Sequence, residues 1–346
     1  MPISKDSEVT IIIPHYNGES ILQDCLESIE QNTIVPVQVI LVDNGSSDNS
    51  VPMVREFFRA VRICEMEENL GFAGGCNVGI ELAETPYVLI LNNDTVHQKG
   101  WVQNLLASIK SSNDIAVVQP KIHSYQNQNK FDYSGAAGGE MDIFGYPFAR
   151  GRLFEYIEED RGQYNQNVDV FWASGTAFLA RRELLIKAGM FDEDFFAHME
   201  EIDLDWRLHL MGYRVTVEPK AVIKHRSGFT LGAETFFKKY LNHRNSLYMF
   251  LSNYNCFTTL YLMLIRLVLD WLSVISSFFK GDIKRSGAVL KAHGWLLLHP
   301  HKIFQKRRKV KKLRQLGDYK IMQKMYIGSS ALMHFLLGKK TYSELQ

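Results

Sequence analysis

The first hundred residues alternate four short apolar runs with segments of helical periodicity, and this alternation constrains the fold more than any other feature. Apolar runs of this length, rich in β-branched residues, are typical of strands buried on both faces of a parallel sheet. In the segments between them, apolar residues recur at helical spacing, as at 20–31. The pattern predicts an α/β fold with a mainly parallel sheet and right-handed helical crossovers. The predicted strands are 9–14, 37–42, 61–65 and 87–91.

Polar residues follow three of the predicted strands. Asn17 and Gly18 come after the first strand, Asp43 comes at the end of the second, and Asp94 follows the fourth. In open α/β sheets, ligands bind at the carboxyl ends of the strands. Any one of these residues could simply make a turn. Because the same pattern recurs at three strands, we expect a ligand site at this edge.

Charge divides the chain into two parts. The 346 residues contain 39 Lys and Arg and 38 Asp and Glu, a formal net charge of +1. Residues 280–314 hold 12 of the bases and one acid, Asp282, so the remainder is acidic. A basic segment of this kind indicates contact with an anionic surface, either lipid or nucleic acid. The composition, 46% hydrophobic and 22% charged, excludes intrinsic disorder or a collagen-like repeat for most of the chain.

Cysteine usage bears on the compartment. Cys25, Cys64, Cys76 and Cys256 are scattered and form no CxxC pair, which argues against a disulfide framework or a zinc ribbon. The first ten residues also lack the apolar stretch of a secretory signal. We therefore expect reduced thiols and a cytoplasmic protein.

Four segments, in this order, resemble the family 2 glycosyltransferases. They are IIIPHYNG at 11–18, VILVDNGSSDNS at 39–50, NLGFAGGCNVGI at 69–80 with LNNDT at 91–95, and FDEDFFAHMEEIDLDWRLHLMGYRV at 191–215. The set most closely resembles the bacterial rhamnosyltransferase-like branch, which builds cell-surface polysaccharide. The resemblance implies a GT-A fold, with a Rossmann-like sheet, over residues 1–235. It also implies inverting transfer of a sugar from a nucleotide-diphosphate donor, dTDP- or UDP-linked, to a lipid-linked or cell-surface glycan.

The resemblance places the nucleotide at the first two strands. Asp43 is expected to accept a hydrogen bond from the imide N–H of uracil or thymine, and Pro14 and Tyr16 to enclose the base. Asn17 belongs to the same candidate set. Asp43 could also build an Asx turn, and the two roles are compatible.

The glycine-rich segment 69–75 is a second candidate donor contact. Its glycines are spaced GxxGG rather than GxGxxG, which argues against a dinucleotide-binding oxidoreductase. Glycines let the backbone approach a phosphate or ribose closely, and Asn69, Gly71 and Asn77 are the candidate contacts. Close packing at a helix N-terminus is the alternative for each glycine.

A metal site is implied at 92–94. These residues stand where the family has its metal motif, and Mg²⁺ or Mn²⁺ bridging diphosphate oxygens would stabilise the leaving group. Asp94 is the strong oxygen ligand, with Asn92 and Asn93 assigned to donor binding. His225 matches a position where some relatives supply a histidine ligand, although a lone histidine is commonly structural.

The densest carboxylate cluster lies at 200–205. The resemblance implies that the catalytic base stands at Glu201, where the family has an aspartate. Glu200 is the fallback, Asp203 shares a helical face with Glu200, and Arg207 is expected to offset charge on the leaving diphosphate. The alternative is that these acids merely complement the helix dipole.

The segment FWASGTAF at 171–178 falls where the family shapes the acceptor and donor-sugar pocket. Its candidate residues are Trp172, Ser174 and Gly175. Trp172 either stacks on a sugar ring or belongs to the core, because the segment also has the pattern of a buried strand.

Residues 236–346 are predicted to form a helical, membrane-associated region. Its segment 256–279 has 24 residues, enough to cross a bilayer core of about 30 Å, but Arg266 and Asp270 would be costly at mid-membrane. It could span, lie in the interface or be an ordinary buried helix. The basic residues that follow favour peripheral attachment to anionic lipid on the inner face of the membrane. Nucleic acid is the weaker alternative, since no nucleic-acid-binding motif accompanies them.

A second function stays open. Asn92 and Glu201 both depart from the strictest family motifs, so the chain could instead be a non-catalytic module that binds sugar nucleotides.

Overall fold

The computed structural model describes residues 6–226 and 235–345. Within them, thirteen strands and twelve α-helices alternate. The strands are β1 Val9–His15, β2 Val37–Asp43, β3 Arg62–Glu65, β4 Tyr87–Leu91, β5 Thr95–His97, β6 Ile115–Ser124, β7 Gly139–Met141, β8 Pro147–Ala149, β9 Arg152–Leu153, β10 Tyr156–Ile157, β11 Val168–Val170, β12 Ala177–Arg181 and β13 Arg214–His225. The helices are α1 Glu19–Asn32, α2 Ser50–Phe57, α3 Gly71–Leu82, α4 Trp101–Lys110, α5 Arg182–Ala188, α6 Glu200–Leu210, α7 Phe236–Asn253, α8 Cys256–Phe279, α9 Ile283–Leu298, α10 Pro300–Leu313, α11 Asp318–Met322 and α12 Ser330–Phe335.

One large sheet organises the N-terminal two thirds. Its strands run in the order β11-β13-β6-β12-β4-β1-β2-β3, and β5 pairs with β13. The four strands predicted in the first hundred residues lie side by side and are parallel. Beyond them, β12 runs antiparallel between β4 and β6. The predicted α/β fold with a mainly parallel sheet is confirmed.

Strand β1 shows why its sequence is apolar throughout. Ile11 and Ile13 belong to the core beneath α1 and α4. Ile12 belongs to the core on the other face, beneath α3, α5 and α6. Successive side chains of a strand point to opposite faces, so a strand covered by helices on both faces is apolar at every position. The result is a three-layer arrangement that leaves the carboxyl ends of the strands open.

The helical C-terminal region packs onto α6. Ile202 and Trp206 of α6 share one apolar core with Leu247 and Tyr254, which lie on and just after α7. The Trp206 and Tyr254 rings meet edge to face, with centroids 4.8 Å apart. Helix α6 is therefore held between the sheet and the C-terminal helices.

Helix α8 carries its charges inward. Arg266 and Asp270 form a buried ion pair with 3.2 Å between Nε and Oδ1. Arg266 also donates to the Phe144 carbonyl oxygen at 2.6 Å, and Tyr146 donates its hydroxyl hydrogen to Asp270 at 2.7 Å. The opposite face of the helix is apolar and exposed, and α8 is long and apolar enough to cross a membrane.

Candidate active site

His15, at the carboxyl end of β1, contacts residues at the carboxyl ends of β2 and β4. In the parallel register His15 stands beside Asp43, and its carbonyl oxygen accepts a hydrogen bond from Asn44 N at 2.8 Å. Its ring Nδ1 lies 2.7 Å from Asn93 Nδ2. Burial lowers the pKa of His15, against the opposing charges of Asp43 and Asp48, so the ring is neutral and Nδ1 accepts from the Asn93 amide. These contacts bring Asp43 and the 92–94 segment to one edge, as the sequence predicts.

The two carboxylate oxygens of Asp43 differ in their hydrogen bonding. Oδ2 accepts from Ser46 N at 3.1 Å and holds the turn, whereas Oδ1 is buried and has no hydrogen-bond partner among the described residues. Beside it, a Cβ on Gly75 would lie 3.2 Å from Pro14 Cβ, so α3 packs closely here. At the rim, Tyr16 is exposed. A turn and a free carboxylate oxygen thus coexist at Asp43.

Asn17 links the two strand-end loops. Its Oδ1 accepts from Ser47 N at 2.9 Å, and its own backbone N–H donates to Ser46 Oγ at 2.9 Å. It has a positive φ of 54°, a conformation that asparagine tolerates. Its position shapes the loop around Asp43.

The glycine-rich segment serves packing at the start of α3. Asn69 Oδ1 accepts from Gly71 N at 2.8 Å. Gly71 has φ +72°, and a Cβ there would stand 2.6 Å from the Phe196 carbonyl oxygen. Close packing, the alternative considered for these glycines, accounts for Gly71.

Asn77, one of the predicted donor contacts, makes its hydrogen bonds within the fold. It is buried, its Oδ1 accepts from Phe191 N at 2.9 Å, and its Nδ2 donates to Phe191 O at 2.9 Å and Glu193 Oε1 at 3.1 Å. The amide ties α3 to the 191–193 segment. Both of its polar atoms are engaged within the fold, so it has a structural role.

Asp94 and His225 converge as the sequence predicts. His225 Nε2 lies 3.1 Å from Asp94 Oδ1, and Nδ1 lies 2.9 Å from Asp132 Oδ1 on the other side of the ring. Burial opposes a charged ring, but the two carboxylates outweigh it and raise the pKa of His225 to about 10. A carboxylate on the far nitrogen is the arrangement that orients metal-binding histidines.

A divalent cation shared with a substrate would bind this pair by displacing the proton that His225 Nε2 holds against Asp94. Within 6–226 and 235–345, no cluster of three or more His, Cys, Asp or Glu side chains suits a metal ion. Mg²⁺ is commonly held by one or two carboxylates together with substrate phosphates, so a protein site with few ligands is the expected form. Asp94 and His225 are the residues that would hold the ion.

Glu201 lies beside the strand-end residues. The backbone N–H of Gly175 hydrogen-bonds its carboxylate, and the backbone oxygen of the next residue, Thr176, accepts from Asn92 N at 2.9 Å. Glu201 Oε2 and Glu200 Oε2 are buried and have no hydrogen-bond partner in the described part of the chain. Burial raises the pKa of both carboxyls, and the neighbouring Glu201 charge raises that of Glu200 further. Glu201 is partly exposed whereas Glu200 is 5% exposed, which favours Glu201 as the group that meets a substrate.

The next turn of α6 carries Asp203 and Arg207, two predicted catalytic residues, and both make contacts within the fold. Asp203 is fully buried and binds Arg207 Nε at 2.9 Å, Asn253 Nδ2 at 2.8 Å and Lys306 Nζ at 2.8 Å. Arg207 also donates to the backbone oxygens of Ala188 and Met190. These two side chains fasten α6 to its surroundings.

In the 172–175 segment, Trp172 and Ser174 make contacts within the fold, whereas Gly175 faces the candidate site. Trp172 is 4% exposed and donates Nε1–H to Glu140 O at 2.8 Å, so the core alternative holds for it. Ser174 Oγ donates to the Ser134 carbonyl oxygen. Gly175 alone faces the site, where a Cβ would lie 3.8 Å from Glu201 Cδ.

Two site residues escaped the sequence-based prediction. His15 stood within a quoted motif, and its place at a strand end was a usable signal. Asp132 lies outside every motif, and no signal in the sequence indicated it.

Comparisons with known proteins show what this chain is similar to. The sequence model described as Glycosyl transferase family 2 matches residues 10–189. The chain is 24% identical over 204 residues to the glycosyltransferase GlyG of Streptococcus pneumoniae, covering 58% of this chain and 64% of that protein. It is also 24% identical over 216 residues to the poly-beta-1,6-N-acetyl-D-glucosamine synthase of Staphylococcus epidermidis, covering 62% of this chain but 48% of the relative. The alignments thus span about half to two thirds of these relatives' lengths.

A solved structure shows the fold. The mannosyltransferase PcManGT of Pyrobaculum calidifontis, in complex with GDP-Man and Mn²⁺, superimposes with a TM-score of 0.53. The match has 15% identity and covers 96% of this chain and 88% of that one. The predicted GT-A fold is confirmed.

Proposed function

The chain belongs to glycosyl transferase family 2, and from that premise we propose that it transfers a sugar from a nucleotide-diphosphate donor to a glycan acceptor with inversion. The observation that carries the proposal is a set of buried polar atoms at the carboxyl edge of the sheet. Asp43 Oδ1 and Glu201 Oε2 find no hydrogen-bond partner within the described residues. Buried polar groups in proteins are almost always satisfied, so these atoms fit a site completed by a polar substrate.

The donor base is proposed to lie against Asp43. Its partnerless oxygen suits the imide N–H of uracil or thymine, with Pro14 close by and Tyr16 at the rim. The dTDP- or UDP-linked donor is our preferred choice on this chemistry. That the structural relative binds GDP-Man makes guanine the competing base in any test. The rhamnosyltransferase-like branch remains a prediction.

The donor diphosphate is proposed to lie near Asp94 and His225. When bound there, Mg²⁺ or Mn²⁺ would neutralise charge on the leaving diphosphate. Asp132 holds Nδ1 of the His225 ring, so that Nε2 is presented to the same point as the Asp94 carboxylate. Asn93 is held by His15 at the adjoining strand end and orients this loop.

Glu201 is proposed to act as the base. It takes the proton of the acceptor hydroxyl as that oxygen attacks the anomeric carbon, and the bond from that carbon to the diphosphate oxygen breaks with its electron pair. A carboxyl with a raised pKa is a better base than an ordinary one at neutral pH, because the optimum pKa lies near the working pH. Attack opposite the leaving group inverts the anomeric configuration.

The acceptor is proposed to be a growing cell-surface polysaccharide or a glycan that is still linked to a lipid carrier. A synthase of poly-beta-1,6-N-acetyl-D-glucosamine among the relatives supports a glycan acceptor. A lipid-linked acceptor would reach the site from a membrane surface, and the outer face of α8 supports such a surface.

We propose that α8 lies in the plane of the membrane on its cytoplasmic side. Its charged pair, Arg266 and Asp270, is satisfied inside the protein, so the helix does not need to carry those charges into lipid. The outward residues are long apolar side chains, as in helices that insert into the headgroup boundary. They include Phe257, Leu260, Leu264, Ile265, Val268, Trp271, Leu272, Ile275, Phe278 and Phe279, each 45–86% exposed.

The basic segment contributes only some of its charges to such a surface. Lys302 pairs with Asp194 and Lys306 with Asp192 at 2.7 Å, so these lysines face the catalytic region. Lys280 and Lys284, near the end of α8, and Arg308 and Lys311, on α10, are exposed and suit anionic lipid. This is a narrower set than the charge pattern of the sequence indicates.

A donor panel tests the catalytic proposal. The full chain is incubated with UDP-, dTDP- and GDP-sugars, with Mg²⁺, Mn²⁺ or EDTA, and the released nucleoside diphosphate is measured alongside thermal-shift binding. We expect one pyrimidine-nucleotide sugar to be both bound and turned over, with turnover abolished by EDTA. Binding without turnover at any donor, with crude membrane glycan as acceptor, would favour the non-catalytic module, and absence of binding would contradict both.

A further inference from the structure

The segment that leads into the predicted base has an unusual backbone. Phe196, His198 and Met199 all have positive φ angles, 62°, 68° and 72°, although none is glycine. Such conformations are strained in residues other than glycine and persist only where the surroundings enforce them. Met199 is the residue immediately before α6, so the path of this segment sets where Glu200 and Glu201 begin.

One side chain of α7 holds this segment. Asn245 is fully buried, and its Nδ2 donates to the carbonyl oxygens of Phe195 at 3.1 Å, Ala197 at 2.9 Å and His198 at 2.7 Å. An amide has two hydrogens, so one of them is shared between two of these oxygens. The three carbonyls point to a single atom only because the backbone between them takes its strained path.

Arg244 completes the clamp. Its Nε donates to Asn245 Oδ1 at 2.7 Å, which fixes the amide with its NH₂ towards the segment. Its Nη2 donates to Asp194 O at 2.7 Å and Phe195 O at 3.0 Å. The guanidinium in turn lies over the Trp295 ring, 4.9 Å from its centroid. Helix α9 thereby supports the side chain that orients Asn245.

The opposite side of the segment rests on α3. The Phe196 carbonyl oxygen accepts from Phe72 N at 3.1 Å, and the missing side chain of Gly71 makes room for that oxygen. The segment is thus enclosed between a helix of the α/β domain and a helix of the C-terminal region.

We propose that Asn245, oriented by Arg244, is a positioning residue for the base Glu201. The C-terminal helices then form part of the catalytic unit as well as a membrane attachment. The inference rests on the proposed function in one respect: that Glu201 is the base. A displacement of about 1 Å at a reacting group costs about a hundredfold in rate, so loss of the clamp is expected to affect the chemical step more than donor binding.

Asn245→Asp tests the proposal, because it keeps the size of the side chain while an ionised carboxylate has no hydrogen to donate. We expect kcat to fall about 10- to 100-fold with the donor KM changed less than about threefold. When Glu201→Gln is already present, adding Asn245→Asp should lower kcat only slightly further. The effects of two substitutions that act through the same step are not additive. Hydrogen exchange of peptides covering 194–201 should rise. Ser252→Ala, another buried substitution on α7, is the matched control and should change none of these.

The outcomes separate the two proposals. Full activity in Asn245→Asp, or losses that simply add to those of Glu201→Gln, would overturn the positioning role and leave the transferase function standing. If the wild-type chain turns over no donor, the proposed function fails, and unchanged exchange at 194–201 would overturn the clamp as well. Should Asn245→Asp not fold, Arg244→Lys replaces it. That variant loses the bond to Asn245 Oδ1, and a smaller rate loss with raised exchange is expected.

Discussion

The carboxyl edge of the sheet and the outer face of α8 leave opposite kinds of atoms without partners. At the edge, Asp43 Oδ1 and Glu201 Oε2 are buried polar atoms with no hydrogen-bond partner in the described ranges. On α8, Arg266 and Asp270 satisfy each other inside the protein, while Leu264 on the other face is 66% exposed. The sheet edge therefore needs a polar ligand to satisfy its buried atoms. The outer face of α8 needs an apolar surrounding such as lipid to cover its side chains.

The largest effect is expected at the edge, from Glu201→Gln. The amide cannot take a proton from the acceptor, and removal of a general base costs about 10²- to 10⁴-fold in kcat. Initial rates of sugar transfer, with circular dichroism to establish the fold, measure it. Glu200→Gln is the matched control: its carboxyl is more deeply buried, and its loss should cost much less. Equal losses in the two variants, or undiminished turnover in Glu201→Gln, would show that the base is assigned wrongly.

The second prediction concerns the charges that α8 turns inward. Arg266→Leu leaves Asp270 buried without its ion-pair partner, and such losses cost about 3–5 kcal/mol of unfolding free energy. Urea denaturation of the full chain measures it. The double variant Arg266→Leu/Asp270→Leu should regain most of the loss, because neither member of the buried ion pair then remains. A single variant as stable as wild type would mean that α8 is not packed as described.

Sequence predicted the sheet well, for a physical reason. Strands buried on both faces must be apolar at every position, so β4 was predicted at its observed bounds, 87–91, and β1 within one residue. The strand ends followed from the same pattern, since parallel neighbours end together. The positions of Asp43 and Asp94 at the sheet edge could be predicted because a strand end is recognised from local sequence alone.

The four acids of α6 could not be sorted in the same way. Glu201 and Asp203 are two residues apart and of similar chemistry, yet only Asp203 is satisfied. Its partners, Asn253 and Lys306, come from α7 and α10. The local sequence pattern around Asp203 does not predict contacts with such distant residues. The role of Asn245 was hidden likewise, because the carbonyls it binds lie about 50 residues away along the chain. When the role of a side chain depends on its three-dimensional surroundings, the hydrophobic periodicity of the sequence does not predict that role.

The third prediction tests the apolar half of the comparison. Leu264→Glu places a charge on the exposed face of α8, removing about 1.5–3 kcal/mol of apolar burial in lipid and adding repulsion from an anionic surface. We expect about a hundredfold weaker binding in flotation with vesicles containing anionic lipid. Ile34→Glu, at an exposed apolar residue of the loop after α1, is the control and should float as wild type does. Retained binding of Leu264→Glu would refute α8 as the membrane face.

The smallest predicted effect concerns the ion pair that fastens α10 to the catalytic region. Burial raises the pKa of Asp192, but the charge of Lys306 outweighs it and brings that pKa down to about 2. A carboxyl with a depressed folded pKa stabilises the protein above its unfolded pKa, near 4, and that stability is lost as pH falls towards 2. Asp192→Asn keeps the helix-capping oxygen, so the variant isolates the charge. Its unfolding free energy should lie about 2 kcal/mol below wild type at pH 6, and the gap should close by pH 2. A gap that does not change with pH would mean that Lys306 draws its stabilisation from Asp203 alone.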